Sequence, residues 1–361
     1  MAHLGPMSAA EACSELCVVT TSAVPAIPKV TVIRPRRWLV RALGATLARQ
    51  VSFAWRAIRT RPDIVGGFHL LPNGLVSALL GRLVGARPMY ICTGGPAEVI
   101  DGGIRNDTGP FTRMETPDPV VEGRLIRGVK ACDLVITRGT RAVRFFRNKG
   151  VHATFCIVTG GIDSGRFSPA TDSPSIDLVF SGRLAGVKRI DVLLKMTALV
   201  RLAIPTIKVA IVGDGPLKEQ LWQMSRDLGL DSCVEFAGHQ QDVSPWLLRS
   251  KLFVLPSRNE GLSLAMIEAM MCGLPAVVSD VGDLADLVEH GVNGFLVPVG
   301  EVEKFAAHAI DLLTDARKYS AFSEAARRSA LRHSTTAITR QWDMILGGVG
   351  QAAETACQED G

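Results

Sequence analysis

The sequence predicts an α/β protein that contains two doubly wound parallel sheets. Its 361 residues exceed the size at which single hydrophobic cores stop growing, so we expect two domains. Apolar residues make up 47% and charged residues 21%, which is ordinary for a globular chain and excludes wholesale disorder. From residue 60 onward, short apolar runs alternate with helical patterns, as in parallel sheets covered by helices on both faces.

The elements follow from this alternation. The predicted strands are Ile64–Phe68, Met89–Cys92, Asp133–Thr137, Phe155–Val158, Leu178–Phe180, Lys208–Val212, Val234–Phe236, Leu252–Leu255, Ala276–Ser279 and Gly294–Val297. The predicted helices between them include Asn73–Leu83, Arg189–Leu202, Pro216–Leu228 and Leu264–Cys272.

The domain boundary is predicted in residues 160–177, a stretch rich in Gly, Pro, Ser and Asp. We therefore expect one domain over residues 1–160 and a second over 161–330. Residues 331–361 are expected to form a helix that returns toward the first domain, followed by a frayed tail. Charge supports two domains with different partners, since residues 1–158 carry 21 Lys and Arg against 10 Asp and Glu, whereas the remainder carries 19 against 25.

Cysteine usage and hydropathy indicate a cytoplasmic location. The eight cysteines are scattered singly through apolar segments, as expected for reduced thiols in a cytosolic protein. The sequence contains no run of eighteen uncharged apolar residues, so we expect no transmembrane helix. The N-terminus lacks the basic and apolar regions of a secretory signal.

One segment, residues 256–275, combines a turn and a helix directly after a predicted strand. Ser263 is a suitable helix N-cap, so the backbone amides of residues 261–264 would point outward, where a helix N-terminus favours phosphate. Glu260 in the loop and Glu268 in the helix are better suited to accept hydrogen bonds from sugar hydroxyls. Taken alone, a plain β–α turn with a solvated Glu268 explains this segment equally well.

Polar or glycine-rich turns follow three more predicted strands. Arg183 and Lys188 flank a turn, where two cations could neutralise a diphosphate leaving group. Gly213 and Gly215 would let the backbone approach a flat ligand closely, although a simple β–α turn is the favoured explanation for them alone. His239 ends a strand where a nucleobase could lie.

Together, these strand ends resemble the retaining GT-B glycosyltransferases of family 4, also called glycosyl transferases group 1. The resemblance is dense over residues 155–330. It rests on an Arg and a Lys five residues apart in GRLAGVK, on two Glu eight residues apart in EGLSLAMIE, and on the VGDGP, FAG and NGFLV segments. It implies two Rossmann-like domains that face a cleft, with residues 161–330 binding the nucleotide-sugar donor and residues 1–160 binding the acceptor.

The resemblance implies transfer of a sugar from a nucleotide-diphosphate sugar, with UDP the expected nucleotide, to a glycan or lipid-linked acceptor. Arg183 and Lys188 would hold the diphosphate, Glu268 the ribose hydroxyls and Glu260 the sugar hydroxyls. We expect no cofactor and no metal, because two cations and a helix terminus can stabilise the leaving phosphate and the sequence lacks an Asp-x-Asp motif. The residues assigned to the donor are Gly182, Arg183, Lys188, Gly213, Gly215, His239, Glu260, Gly261, Leu262, Ser263, Leu264 and Glu268. Among them, the candidates for catalysis are Glu260, Arg183 and Lys188.

The first half of the chain departs from the family. Many members place a His after the strand that ends at Cys92, whereas Thr93, Gly94 and Gly95 stand here. The acceptor-side candidates are these three residues together with His69 and Glu98. Members also open with a strand and a glycine-rich loop; here residues 7–16 resemble the end of their first helix and residues 17–21 their second strand, so we expect a shortened first domain.

Residues 29–62 contain nine Lys or Arg and no acid. Their apolar residues recur near helical spacing, which fits two interpretations. A basic amphipathic helix could rest on anionic lipid at the inner face of the membrane. We favour the other interpretation, a helix packed on the first domain with solvated arginines. No nucleic-acid recognition motif is present.

Two alternatives to the transferase remain open. One is another GT-B activity, such as an epimerase or a phosphorylase, which the set of two cations and two carboxylates disfavours. The other is a truncated, non-catalytic nucleotide-sugar-binding relic, which the departure at the N-terminus favours.

Overall fold

The computed structural model describes residues 2–102, 118–169 and 173–348. The chain divides into two compact units. The first unit comprises Met1–Gly161 and Ile338–Gly361, and the second comprises Ile162–Ala337.

The first unit contains two parallel sheets. The smaller sheet pairs β1 (Leu16–Val19) with β2 (Val30–Ile33), and the larger has the order β3 (Ile64–Phe68), β4 (Arg87–Ile91), β5 (Leu134–Thr137) and β6 (Thr154–Ile157). The helices are α1 (Leu4–Ala9), α2 (Arg37–Thr60), α3 (Leu75–Val84), α4 (Pro119–Lys130) and α5 (Thr140–Asn148).

The second unit has one six-stranded parallel sheet. In chain order its strands are β7 (Ile176–Ser181), β8 (Val209–Val212), β9 (Val234–Gly238), β10 (Ser250–Leu255), β11 (Ala276–Ser279) and β12 (Gly294–Val297). Across the sheet, the strands lie in the order β12, β11, β10, β7, β8 and β9. Its helices are α6 (Ile190–Ala203), α7 (Lys218–Asp227), α8 (Ser244–Leu248), α9 (Leu264–Met271), α10 (Val302–Thr314) and α11 (Ala316–Leu331).

The predicted α/β class is confirmed. Each strand predicted from the sequence is present, with both ends within two residues of the expected positions. The strands β8 and β11 are buried along their whole length, because helices cover both faces of the sheet. This burial explains why they are continuous apolar runs rather than alternating ones.

The last helix, α12 (Thr335–Gly347), supplies core residues to the first unit. Its Ile338, Trp342 and Ile345 are buried in a cluster that also contains Met89 and Ile91 of β4. Fully burying a side chain of this kind is worth about 1.5–3 kcal/mol, so the first unit depends on the end of the chain for part of its core.

The start of the chain differs from the prediction. The first helix ends at Ala9 rather than near residue 16, whereas the following strand, Leu16–Val19, lies within two residues of the predicted 17–21. After the helix, Lys29 Nζ donates to the carbonyl oxygens of Ala10 at 3.1 Å and Cys13 at 2.7 Å. These carbonyls are thus satisfied without helical amides, and the chain can turn into the strand.

Helix α2 packs on the first unit, and its Arg41 and Arg59 are exposed, as the favoured interpretation expected. The contacts are made through Ala57, Ala54 and Phe53, whereas most of the large apolar side chains of residues 38–58 are exposed. Among the described residues, none of the helices is both long and apolar enough to cross a membrane.

Candidate functional site

The loops that follow β7, β8 and β9 are joined by backbone hydrogen bonds at one edge of the second sheet. The amide of Gly182 donates to Val212 O at 2.9 Å, and that of Gly213 donates to Gly238 O at 2.8 Å. Because parallel strands end at the same edge, this is where open α/β sheets bind ligands.

Glycine is required at position 213 of this edge. Its φ is +143°, and a Cβ there would lie 1.9 Å from the carbonyl oxygen of Gly182. A Cβ on Gly215 would lie 2.4 Å from Leu184 O. The glycines that the sequence singled out therefore allow two loops to touch through their backbones.

Lys188 and Glu260, which are 72 residues apart, form a direct ion pair. Lys188 Nζ lies 2.5 Å from Glu260 Oε1, and the Ser257 hydroxyl donates to the same oxygen at 2.6 Å. The side chains of Lys188 and Glu260 are only 20% and 11% exposed. The amide of Arg258 also donates to Val187 O at 2.8 Å, which holds the loops after β7 and β10 together.

Arg183 lies at the same edge but is exposed. Across the described part of the chain, its guanidinium has neither a hydrogen bond nor an ion pair. Of the two cations predicted from the sequence, Lys188 is therefore paired with Glu260, and Arg183 is exposed to solvent.

Helix α9 begins as predicted, with Ser263 as its N-cap. The Ser263 hydroxyl accepts a hydrogen bond from the Met266 amide at 3.4 Å. Among the described residues, the backbone amides of Gly261, Leu262, Ser263 and Leu264 have no acceptor. These donors stand at the positive end of the helix dipole, where an anion or a hydroxyl oxygen could accept from them.

Glu268 is partly buried on the same helix, and its burial raises the pKa of the carboxyl to about 7. The charge of Arg166 lowers this pKa and that of Asp242 raises it, while Arg166 and Asp242 form an ion pair at 2.6 Å. The Glu268 carboxyl has no hydrogen-bond partner among the described residues. His239, by contrast, is exposed just after β9.

The acceptor-side candidates of the first unit converge on the buried carboxylate of Glu98, which is 5% exposed. Its Oε1 accepts from His69 Nδ1 at 3.0 Å and from the Gly94 amide at 2.6 Å. Its Oε2 accepts from the Leu70 amide and from the Tyr90 hydroxyl, both at 2.8 Å. Four donors therefore hold one carboxylate.

The hydrogen bond that His69 donates to Glu98 raises the pKa of His69. Burial alone would raise the pKa of Glu98, but the hydrogen bonds and charge of His69, with the two backbone amides, hold it below its usual range. The His69 side chain is 48% exposed, and Thr93 Oγ1 lies 3.2 Å from its Nε2. An exposed imidazole backed by a buried carboxylate can orient or exchange a proton with a hydroxyl group.

Several polar residues of these clusters escaped the sequence analysis: Ser257, Arg166, Asp242, Tyr90 and Arg138. Arg138, whose charge acts on Glu98, directly follows β5, so the rule that placed the other candidates after strands could have found it. Tyr90 lies within a strand, and the residues around it in the sequence give no sign that it contacts Glu98. Among the described residues, no cluster of three or more His, Cys, Asp or Glu could hold a metal ion.

Residues 162–329 match the model of the family described as glycosyl transferases group 1. The second unit belongs to this family. This group 1 domain is also the part that carries the Arg183, Lys188, Glu260 and Glu268 spacings.

Curated relatives agree with this assignment. The chain is 34% identical over 139 residues to an N-acetyl-alpha-D-glucosaminyl L-malate synthase of Bacillus anthracis, which covers 38% of this chain and 36% of the relative. It is 30% identical over 171 residues to a D-inositol 3-phosphate glycosyltransferase of Thermobispora bispora, covering 44% and 40%. An exopolysaccharide phosphotransferase of Streptomyces coelicolor is 31% identical over 182 residues, covering 50% and 19%. The matches therefore span less than half of these relatives.

Solved structures confirm the predicted GT-B fold beyond the group 1 domain. HepE of Anabaena in complex with UDP superposes with a TM-score of 0.71 at 21% identity, covering 90% of this chain and 87% of HepE. TarM of S. aureus, in a complex that contains UDP, has a TM-score of 0.66 at 19% identity, covering 82% and 59%.

Proposed function

We propose that the protein is a retaining glycosyltransferase that moves a sugar from a nucleotide-diphosphate sugar to a glycan or lipid-linked acceptor, in the biosynthesis of a polysaccharide or glycoconjugate. The observation that carries this proposal is the carboxyl edge of the group 1 domain. The loops at this edge follow adjacent strands and carry the exposed Arg183 and the paired Lys188. They also carry the backbone amides of residues 261–264, which have no acceptor among the described residues.

On this proposal, the leaving diphosphate is held by Arg183 and Lys188, and the amides of residues 261–264 donate to sugar or phosphate oxygens. Negative charge grows on the leaving phosphate as the bond to the anomeric carbon breaks. Fixed cations and amides that need no rearrangement stabilise that charge in the transition state. We propose that the enzyme needs no metal and no cofactor for this step.

The Lys188–Glu260 pair suggests how the donor sugar is positioned. Glu260 accepts hydrogen bonds from Ser257 and Lys188 on a single oxygen, Oε1. Its other oxygen can accept from a sugar hydroxyl, while Lys188 remains oriented by the carboxylate. We assign no nucleophile, because Glu260 already serves as the partner of Lys188.

For the donor nucleotide we propose UDP. HepE and TarM have been crystallised in complexes that contain UDP, and HepE also with UDP-glucose. Glu268, whose carboxyl lacks a partner among the described residues, is proposed to accept from the ribose hydroxyls, and His239 to lie beside the base.

For the acceptor we propose that His69, oriented by Glu98, hydrogen-bonds a hydroxyl group together with Thr93. Gly95 has open space where a side chain would stand, whereas the missing side chain of Gly94 lets the Glu98 carboxylate approach. None of the cysteines among the described residues forms a disulfide bond, which fits a cytoplasmic enzyme. We propose that the enzyme meets a lipid-linked acceptor at the inner face of the membrane.

Calorimetric titration of the full chain with UDP, GDP and ADP, each with and without EDTA, tests the proposal. We expect micromolar binding of UDP that EDTA leaves unchanged. Binding of another nucleotide would correct the base, and EDTA sensitivity would contradict metal independence. A folded sample that binds none of the three would overturn the transferase in favour of a non-catalytic relic.

Glu268 gives this binding a pH dependence. Its carboxyl, with a pKa of about 7, is half-protonated near neutrality, and only the ionised form accepts from both ribose hydroxyls. The affinity for UDP-glucose should therefore increase between pH 6 and pH 8, a range in which its phosphates do not titrate. In Glu268→Gln the affinity should be lower and independent of pH. Equal affinity and an equal pH profile in the two proteins would remove Glu268 from the ribose site.

A further inference from the structure

Helix α2 exposes its largest apolar side chains. Trp38, Leu43, Leu47, Val51, Trp55 and Ile58 have exposed fractions between 42% and 62%. We call the side chains of Leu47, Val51, Trp55 and Ile58 the α2 face, because Trp38 and Leu43 lie beyond Gly44, whose φ of +76° interrupts the helix. With 3.6 residues per turn, Leu47, Val51, Trp55 and Ile58 fall within an arc of about 80° on one side of the helix.

The opposite side of α2 attaches the helix to the first unit. Ala57 is buried in a cluster with Val65 and Leu80, and Phe53 and Ala54 pack against it. The helix therefore packs through mostly small residues and turns its large ones outward, the reverse of an ordinary surface helix. An exposed apolar patch of this kind marks an interaction surface.

The segment that contains the α2 face carries charges of one sign only. Residues 29–62 carry nine Lys or Arg and no acid. The Arg59 guanidinium lies 5.5 Å from the centre of the Trp55 ring, and Arg56 is 3.6 Å from Glu15. The arginines at positions 34, 36, 37, 41, 59 and 61 are exposed.

We propose that the α2 face is a docking surface for an anionic lipid bilayer. Tryptophan and aliphatic side chains would enter the boundary between headgroups and acyl chains, while arginines contact lipid phosphates. A second copy of the chain is the poorer occupant, because a symmetric contact would bring two strongly basic surfaces together. The proposal rests on α2 alone and does not depend on the transferase activity.

The chain offers a matched pair of tryptophans for the test. Trp55 and Trp222 are both exposed on helices, at 58% and 45%, and each lies beside an arginine four residues later, Arg59 or Arg226. Only Trp55 belongs to the α2 face. Trp55→Glu and Trp222→Glu therefore make the same chemical change inside and outside the proposed surface.

The full-length protein and both variants would be floated with vesicles of phosphatidylcholine alone and with 30% phosphatidylglycerol. We expect binding to the anionic vesicles only, weakened by 1 M NaCl, with Trp222→Glu unchanged and Trp55→Glu binding about tenfold more weakly. Circular dichroism of both variants would verify that they are folded.

Three outcomes would overturn the proposal. One is an absence of binding to anionic vesicles by the unaltered protein. Another is equal binding by the two variants. The third is a lipid-free oligomer, measured by analytical ultracentrifugation, that Trp55→Glu abolishes and Trp222→Glu does not, because the α2 face would then be covered by a second copy.

Discussion

Replacing Arg183 with alanine should lower the turnover of the nucleotide-sugar donor by roughly 10²–10³-fold and leave the melting temperature nearly unchanged. The side chain is exposed and has no partner within the described residues, so its loss removes no contact of the folded state. Surface substitutions of this kind change the free energy of unfolding by about 0.5 kcal/mol or less. Any large loss of turnover would then come from the transition state.

Arg183 separates the two effects better than Lys188 does. Removing Lys188 would leave Glu260 largely buried without its cation, and breaking such a pair costs about 3–5 kcal/mol. A Lys188 variant would therefore lose stability and activity together, whatever the role of the lysine.

Arg328→Ala is the matched control, since Arg328 is 71% exposed and pairs only at 3.9 Å with Glu324. The measurements are kcat for donor turnover and the melting temperature of all three proteins. If Arg183→Ala and Arg328→Ala have the same kcat, Arg183 does not stabilise the leaving diphosphate. If the melting temperature of Arg183→Ala decreases together with its kcat, Arg183 has a structural role.

The proposed donor site could be predicted from the sequence to a large extent. Its residues follow strands, and parallel strands bring their ends to one edge whatever the details of packing. The motif spacings were thus enough to place Arg183, Gly213 and Ser263. The direct contact between Lys188 and Glu260 was not predicted, because the sequence gives no measure of the distance between two side chains on different loops.

The first unit was harder to predict for a physical reason. Glu98 binds Tyr90 from within a strand and the Leu70 amide from a turn, and neither has a local signal. The sequence predicted that helix α2 packs on the first domain, but apolar periodicity does not show which side of the helix faces inward. Packing through Ala57 and its neighbours rather than through Trp55 depends on the shape of the surface beneath, which periodicity does not encode.

The buried Glu98 carboxylate should be the most sensitive stability position of the first unit. Glu98→Gln keeps the shape of the side chain but replaces one acceptor oxygen with an NH2 group, which would face donors. We expect the free energy of unfolding to fall by about 2–4 kcal/mol, since hydrogen bonds to a charged group contribute about 1.5–3 kcal/mol each and a buried donor would lose its acceptor. Glu15→Gln, an exposed carboxyl 3.6 Å from Arg56, should cost less than about 1 kcal/mol.

The Glu98–His69 pair also predicts the pH range over which the first unit is most stable. Because the pKa of Glu98 is lowered from 4.5, its contribution is present above that pH and is lost as the pH falls through the folded-state pKa. Because the pKa of His69 is raised from 6.5, its contribution is present below that pH and is lost as the pH rises through the folded-state pKa. Melting temperatures between pH 4 and pH 9 should therefore fall on both sides for the unaltered protein. In Glu98→Gln the decrease in melting temperature above pH 7, beyond the range in which Glu268 titrates, should become smaller, since His69 has lost the carboxylate that favours its protonated form. Two results would contradict this prediction together: a Glu98→Gln protein as stable as Glu15→Gln, and an unchanged decrease in melting temperature at alkaline pH. They would show that the carboxylate does not hold His69 in place. The proposed orientation of an acceptor hydroxyl by His69 would then lose its physical basis.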